Sequence, residues 1–374
     1  MPTQVSFCFR LLLPHNCFIL SAGKNRSRLA SAAIHAPTDA RLSRIVHLLM
    51  DNATVVVSGT KIAQEIGTTR SEVWRLVQQL RGLGVDIVGH SATGYRLRKV
   101  PDLLLAETLA PLLRGTIFAS HIHHYFKISS TNLAAMEAAA AGAPEGSVFL
   151  AEEQVAGRGR GAHGWLSARS QGIYCSVVLR PALSPADVLV LTLATGLAAC
   201  AAVEQLLSPN PAGKKPATAP QLDLRWPNDL LLNGKKFAGI LAELTAEATR
   251  VRYVVVGMGI NVNQPSFPAE LRDLATSLRL ETGNCWSRVE LLAALLKSLD
   301  REYRALLKPG PGGRESVLRR FQERSSFAQG RRVRVEEDGG YEGLTAGLDA
   351  RGFLQVETVK GLRTVLSGGV RGMD

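Results

Sequence analysis

Four strand-like runs, QLDLRW, DLLLNG, KKFAGILAEL and RYVVVGMGINVN, follow one another between residues 221 and 263 with no helix between them. Strands in direct succession build a largely antiparallel sheet, whereas a doubly wound sheet places a helix between its strands. The middle of the chain therefore reads as α+β. SVFLAEEQV and GIYCSVVLR are two further strands upstream, and residues 186–207 have a helical pattern. The most apolar stretch, Val188 to Val203, is bracketed by Asp187 and Glu204. It falls short of the roughly 20 residues a spanning helix needs, so it reads as a buried helix and no membrane contact is expected. SPNPAGKKPATAP (208–220) reads as a mobile loop, and PGPGG (309–313) as a break before a short helix ending near Arg324.

What flanks this core differs on the two sides, and a length of 374 residues allows two or three domains. Residues 41–100 read as helix, helix, turn, helix and hairpin. Leu42, Ile45, Val46, Leu48 and Leu49 line the first helix, and Ile62, Ala63 and Ile66 the second. Gly67 makes the turn. Thr69 or Ser71 can cap the third helix, whose inward face is Val73, Leu76 or Val77, and Leu80. Arg70, Ser71, Arg75, Gln78 and Gln79 point outward, and Arg and Gln can bond bidentately to guanine and adenine edges. VDIVGHSATGYRL alternates around a turn as a wing would. The net charge is +12, and this segment carries nine Lys/Arg against four Asp/Glu. Together these features point to a winged helix-turn-helix that binds DNA; the alternative is an ordinary solvated helix. Residues 101–119 read as a link with a short amphipathic helix, and 331–374 as a meander of about five strands forming a small barrel. Residues 1–40 look unlike the rest and read as an extension, expected to be disordered. The five cysteines (Cys8, Cys17, Cys175, Cys200, Cys285) form no CxxC pair. That argues against zinc or dithiol chemistry and suits a reducing cytoplasm.

The densest glycine-and-charge cluster is GRGRGAHGW, residues 157–165. It contains a GxGxxG spacing, but a dinucleotide fingerprint needs a helix to start inside the motif, and here a loop and then a strand follow. A P-loop is absent, and so are the HRD and DFG of a kinase. What remains is a flexible loop delivering Arg158 and Arg160, which in an extended stretch point to one side and suit a phosphate chain or a carboxylate–phosphate pair. Trp165 supplies a flat face for a base.

SSTN (129–132), AEEQVAGRGR (151–160), RWPNDLLLNGKKFAGILAEL (225–244) and GMGINVN (257–263) resemble, in that order, the motifs of biotin protein ligases. The flanking segments match the bifunctional ligase/repressor form. The resemblance covers about residues 41–374. It implies a multidomain α+β chain: an extension (1–40), a winged helix-turn-helix (41–100), a mixed-sheet ligase domain like class II aminoacyl-tRNA synthetases (101–327) and an SH3-like β-barrel (328–374). It implies that biotin and Mg-ATP form biotinyl-5′-AMP, and that biotin then passes to a lysine of the biotin carboxyl carrier protein of acetyl-CoA carboxylase. The adenylate would act as corepressor at operator DNA, and the protein would be a cytoplasmic homodimer joined through the central sheet. By matched position, Ser130, Thr131, Asn132 and Gln154 hold biotin, with Arg158, Gly159, Arg160 and Lys236 beside it. Arg158, Arg160, Trp165, Asn228, Asp229 and Asn261 hold the nucleotide, Asp229 the metal, and Arg160 and Lys236 carry the chemistry. Thr69, Arg70, Ser71, Arg75 and Gln78 would meet DNA. Ser130 or Thr131 could instead cap the helix that follows, and Lys235 reads as solvated. Two departures stand out: Arg225 replaces the usual Lys before Trp-Pro-Asn-Asp, and Gly161-Ala162 reverses the usual order. Competing readings are a transcription factor with a degenerate ligase domain, a ligase without regulatory DNA binding, and a lipoate or octanoate ligase.

Overall fold

A computed structural model describes residues 6–7, 36–90, 93–208, 220–308, 310 and 312–373. Of the extension it describes β1 (Ser6–Phe7) and the start of α1 (Ala36–Asp51); the rest, with Cys8 and Cys17, lies outside the described residues. The loop expected at 208–220 also lies almost wholly outside them.

The N-terminal unit packs α1, α2 (Gly59–Glu65) and α3 (Arg70–Gly82) beside a hairpin, β2 (Ile87–His90) with β3 (Gly94–Leu97). Its core is Leu42, Ile45, Val46, Leu49, Ile62, Val73, Leu76, Val77 and Leu80, so both Leu76 and Val77 face inward. Thr69, rather than Ser71, caps α3, its hydroxyl accepting from the Glu72 amide at 3.2 Å. The link is not a loose tether. Leu103 and Leu105 enter this core, while Leu104 enters the next one, as alternate residues of an extended segment must. Phe126 also reaches the N-terminal core from beyond α4 (Ala106–Leu112).

The central sheet runs β4 (Ile122–Tyr125), β5 (Val148–Ala151), β6 (Gly172–Leu179), β10 (Val251–Asn261), β9 (Lys235–Ala246), β8 (Asp229–Leu232) and β7 (Leu222–Arg225), with β1 on β9. Every pair is antiparallel except β4 with β5. The two faces alternate along each strand. Val177, Leu179, Val254 and Val256 face the main core with α6 (Val188–Leu207), α7 (Leu278–Thr282), α8 (Arg288–Leu306) and α9 (Gly312–Arg324). Val178, Tyr253 and Val255 face α5 (Thr131–Ala140). The α6 helix falls within the 186–207 segment expected to be helical; its length and composition would let it cross a membrane, but its apolar surface is buried inside this core. Cys175 and Cys200 are buried there, and burial pushes the Cys200 thiol up to about 12.

The C-terminal unit is a five-stranded antiparallel sheet, β11 (Gln329–Val335), β12 (Tyr341–Leu348), β13 (Leu354–Thr358), β14 (Gly361–Val365) and β15 (Val370–Gly372), in the order β14-β13-β12-β11-β15. The Trp226 indole donates to the Gly352 carbonyl at 2.9 Å and ties this unit to the central one.

Candidate functional site

On the α5 face, β10 reads Tyr253, Val255, Gly257, Gly259. The first two fill the space under α5; the glycines leave it open. A Cβ on Gly257 would stand 2.0 Å from the Asn132 Oδ1, and one on Gly259 would stand 2.5 Å from the Trp165 ring. The opening is a cleft that is open to solvent. Ser130, Thr131, Asn132 and Gln154 line one end, and Arg158, Gly159, Arg160, Trp165, Asn228 and Lys236 the other.

The polar end is a connected chain. The Thr131 amide and hydroxyl both donate to the Gln154 Oε1, at 2.8 and 3.1 Å, which turns the Gln154 Nε2 to Ser167 at 2.9 Å. Ser176 lies 2.6 Å from the Asn132 Oδ1 and 2.8 Å from the Thr131 hydroxyl. Glu243 accepts from the Asn132 Nδ2 at 2.8 Å. Ser130 is the residue before α5, yet no side chain caps that helix. The capping alternative therefore fails for both hydroxyl residues. Sequence reasoning missed Ser176, Glu243 and the two glycines. The period-2 pattern could have placed Ser176, Gly257 and Glu243 on α5's face, but only the register between strands brings them to Asn132.

The glycine-arginine stretch is a small hairpin whose first arm is extended through Gly159. Arg158 bridges Gly164, the Gly159 amide donates to the His163 carbonyl at 2.7 Å, and a tight turn covers Arg160–Ala162. Gly161 has φ +62°, the left-handed region that favours glycine. The reversed Gly161-Ala162 order thus puts the glycine where this turn needs it. Arg160 extends over the cleft to the Asn228 Oδ1 at 3.4 Å and to the Gly368 carbonyl of the C-terminal unit at 3.5 Å. Arg158 is exposed beside it. Gly159 between the two arginines is extended, as the shared direction expected of them requires, and both line the cleft.

Asp229 lies between two cations. Arg225 donates to its Oδ2 at 2.7 and 3.3 Å, and the Lys236 Nζ stands 2.5 Å from its Oδ1 without hydrogen-bond alignment. Lys236 also faces the Trp165 ring at 5.6 Å. Lys235, read as solvated, donates to the Arg272 carbonyl at 3.1 Å. Asn261 does not line the cleft. It is buried, its amide donating to the Thr276 carbonyl and accepting from Gln264.

Behind Gln154 lies a buried ionic group. Glu152, 1% exposed as a side chain, accepts from Arg288, which is fully buried, at 2.8 Å, from Ser170 at 2.9 Å and from the Leu104 amide at 2.9 Å. His124 stands 3.2 Å from the other side of the carboxylate and 3.2 Å from Ser43 on α1. Burial alone would raise the Glu152 pKa, but Arg288 and His124 hold it at about 2.

On α3, Arg70, Ser71 and Arg75 are exposed and Gln78 is half-buried. Arg75 is gripped by Glu72 at 2.6 and 2.8 Å, which holds the Glu72 carboxyl below its usual range. The sequence reading passed over Trp74, which is 58% exposed in the middle of this face.

The profile of the Biotin/lipoate A/B protein ligase family matches residues 126–261, an HTH domain profile matches 41–96, and the Biotin protein ligase C terminal domain matches 329–370. The bifunctional ligase/repressor BirA of Bacillus spizizenii is 35% identical over 329 residues, 87% of this chain and 97% of the relative. The biotin–[acetyl-CoA-carboxylase] ligase of Mycobacterium tuberculosis is 36% identical over 64% of this chain and 84% of its own length. Among solved structures, the biotin protein ligase from Aquifex aeolicus in complex with biotin and ATP superposes with a TM-score of 0.56 at 27% identity, covering 68% of this chain and 99% of that one.

Proposed function

Because the chain belongs to the biotin/lipoate A/B protein ligase family, we propose that the cleft takes biotin at its Ser130–Gln154 end and the nucleotide under the Arg158–Trp165 hairpin. The chain is an ATP-dependent biotin protein ligase of the bifunctional ligase/repressor type, and biotin and ATP are its substrates. The observation that supports the placement best is the division of one cleft into a neutral hydrogen-bonding end and a cationic end. A neutral donor–acceptor ring suits the first, and a carboxylate meeting a triphosphate suits the second.

In the first step the biotin carboxylate attacks the α-phosphorus of ATP and pyrophosphate leaves. In the second, the ε-amine of a lysine on the biotin carboxyl carrier protein attacks the mixed anhydride, an amide forms and AMP leaves. Two anions must approach for the first step. Lys236 and Arg160 offset that repulsion, Lys236 as a compact ammonium and Arg160 as a fork held from above by Asn228 and Gly368. Lys236 leaves Asp229 to do so, since a phosphate or carboxylate oxygen replaces the contact it loses. Asp229 then has an Oδ1 without a partner, which suits Mg²⁺: magnesium in nucleotide sites needs one or two carboxylates and takes its other ligands from phosphates and water. Magnesium supplies charge neutralisation on the phosphates when bound. Arg225 keeps the charge of the usual lysine and holds Asp229 in place; we assign it no proton transfer.

We take residues 41–100, 101–327 and 328–374 as the functional units. The first binds operator DNA, with biotinyl-5′-AMP as corepressor. Two copies join through the central sheet, and the reaction belongs to the cytoplasm, where ATP and the carrier are found. Purified protein with Mg-ATP and biotin should label a carrier domain on its lysine. No labelling sinks the ligase assignment, and competition by lipoate as strong as by biotin reassigns the acid. A gel shift with the cell's own biotin-synthesis promoters, with and without biotin and ATP, tests the repressor. Binding that ignores both sequence and ligand overturns it.

A further inference from the structure

We propose that Glu243 is a positioning residue that fixes which end of the Asn132 amide faces the ligand, and so makes the site select an acid whose ring carries N–H donors. The inference rests on the placement of biotin at the Ser130–Gln154 end of the cleft.

An asparagine amide has two ends of nearly equal shape and opposite hydrogen-bonding character. Something must choose between them, or the site presents a donor as readily as an acceptor. Asn132 is buried, stands at the start of α5 and lies over Gly257, where a Cβ would meet its Oδ1. It therefore has no room to sample positions, only to turn over. Its Nδ2 points at the Glu243 carboxylate at 2.8 Å and, more distantly, at the Leu241 carbonyl at 3.5 Å. Both are acceptors without a hydrogen to offer. The Nδ2 must face them, so Oδ1 faces Ser176 and the cleft, where Ser176 approaches at 2.6 Å. Ser176 can turn its hydrogen to either Asn132 or Thr131 and leaves the second lone pair of Oδ1 for a ligand N–H. The neighbouring amide is locked independently, because the Thr131 backbone N–H cannot be anything but a donor to Gln154. Two fixed amides side by side define a donor–acceptor pattern before any ligand arrives. A cyclic urea matches an acceptor placed in this way; a dithiolane ring or a plain alkyl chain has no N–H to give it. Unpaired buried polar groups are costly, and that cost is what rejects the wrong acid.

Glu243 itself is placed by register. It sits opposite Val255 on β10, two residues along β9 from Leu241, which is opposite Gly257. A residue there that only braced α5 against the sheet would affect every substrate alike. The test is steady-state adenylation, followed by pyrophosphate release, on Glu243→Gln, Asn132→Asp and the double variant, with biotin and with a biotin analogue methylated on its ureido nitrogens. In Glu243→Gln the amide is no longer forced, and the KM for biotin should rise about threefold to tenfold, the loss of one neutral hydrogen bond. The maximal rate at saturating biotin and the KM for ATP should move less than twofold. The wild-type preference for biotin over the methylated analogue should shrink by a similar factor. Asn132→Asp sets two carboxylates against each other and should weaken biotin more than tenfold. Adding Glu243→Gln to it supplies an N–H donor to Asp at position 132, restores an acceptor to the cleft and should bring the KM back to within about threefold of wild type. That rescue reads the proposal even if one single variant folds poorly. An unchanged biotin KM in Glu243→Gln, an unchanged preference over the analogue, or a double variant as bad as the product of the singles overturns it. If the wild type releases no pyrophosphate with biotin at all, the ligase reading has failed instead.

Discussion

Gly257 and Gly259 do their work by lacking a side chain, and each can be tested with one methyl group. In Gly259→Ala the new Cβ would meet the Trp165 indole at 2.5 Å and push it toward Lys236. In Gly257→Ala it would displace the Asn132 amide. Gly257→Ala should raise the KM for biotin and Gly259→Ala the KM for ATP, each at least about tenfold, the value of a lost buried hydrogen bond or stacking face. Circular dichroism should remain that of the folded protein, since β10 keeps its pairing; a KM within twofold of wild type in either would show the cleft to be elsewhere. The motif residues were legible in the sequence because their chemistry is visible in one letter: Arg158, Arg160, Lys236 and Gln154 all reach the cleft. What was not legible depends on distant neighbours. Nothing in GMGIN says what its glycines make room for, and Asn261 looked like a ligand group until Thr276 and Gln264 were seen to occupy it. Glu152 was a letter in a motif until Arg288, 136 residues later, closed on it. Its carboxyl sits at about 2 when folded against 4.5 as the ordinary value. A depressed carboxylate stabilises the fold above its unfolded pKa, and the contribution is lost as pH falls from about 4.5 towards 2. Its size is on the order of 3 kcal/mol. Glu152→Gln should therefore lower the urea midpoint clearly at pH 7, and the gap to wild type should narrow by pH 3. A gap that does not change with pH would mean the variant acts through packing alone.

The elements were legible wherever local pattern and tertiary burial agree. The three-helix unit and the antiparallel run from β7 to β10 follow from apolar spacing and from the absence of helices between strands. The parallel strand β4 was not legible, because IHHY has no apolar period of its own and pairs only because β5 lies beside it. The α6 helix was legible in position, at 186–207 expected against 188–207 observed, although an all-apolar helix has no stripe to show which side packs where. The third helix shows how element-level reading sorts a list of outward residues. Thr69 is occupied as a cap, so Thr69→Ala should cost about 1 kcal/mol in stability. It should weaken DNA binding of all sequences alike. Arg70 is exposed at the same end of α3, and we propose that it meets a phosphate. Arg70→Ala should reduce the slope of log affinity against log salt by about one. Arg75 is paired with Glu72, so Glu72→Ala should tighten non-specific binding and steepen that slope. Fluorescence anisotropy over a salt series separates these cases. Equal slopes for wild type and Arg70→Ala would remove Arg70 from the interface.

At the scale of the molecule, two polar links from the N-terminal unit land at the base of the ligand hairpin. Ser43 on α1 meets His124, which meets Glu152. The Gly82 carbonyl, at the end of α3, accepts from the Arg169 Nη1 at 3.2 Å, and the Arg169 Nε donates to Glu153 at 2.8 Å. Glu152 and Glu153 immediately precede Gln154, and Arg169 and Ser170 follow Trp165 by a few residues. The hairpin that covers the cleft is thus held at both feet by groups that also hold the DNA-binding helices. A ligand that shifts this hairpin is expected to shift the feet, and the Arg169–Gly82 hydrogen bond joins the feet to α3. Arg169 is the half-exposed one of the two links, so removing it should leave the fold intact, whereas removing Glu152 should not. Arg169→Ala should keep ligase turnover and DNA binding without ligand within about twofold of wild type. It should shrink the gain in operator affinity on adding biotin and ATP by about threefold to tenfold, the size expected for a coupling of roughly 1 kcal/mol. The check is operator binding by anisotropy with and without both substrates. A ligand response of wild-type size in Arg169→Ala would show that the coupling runs through the dimer or through His124 instead. A response lost together with ligand-free binding would show that Arg169 merely holds the helix.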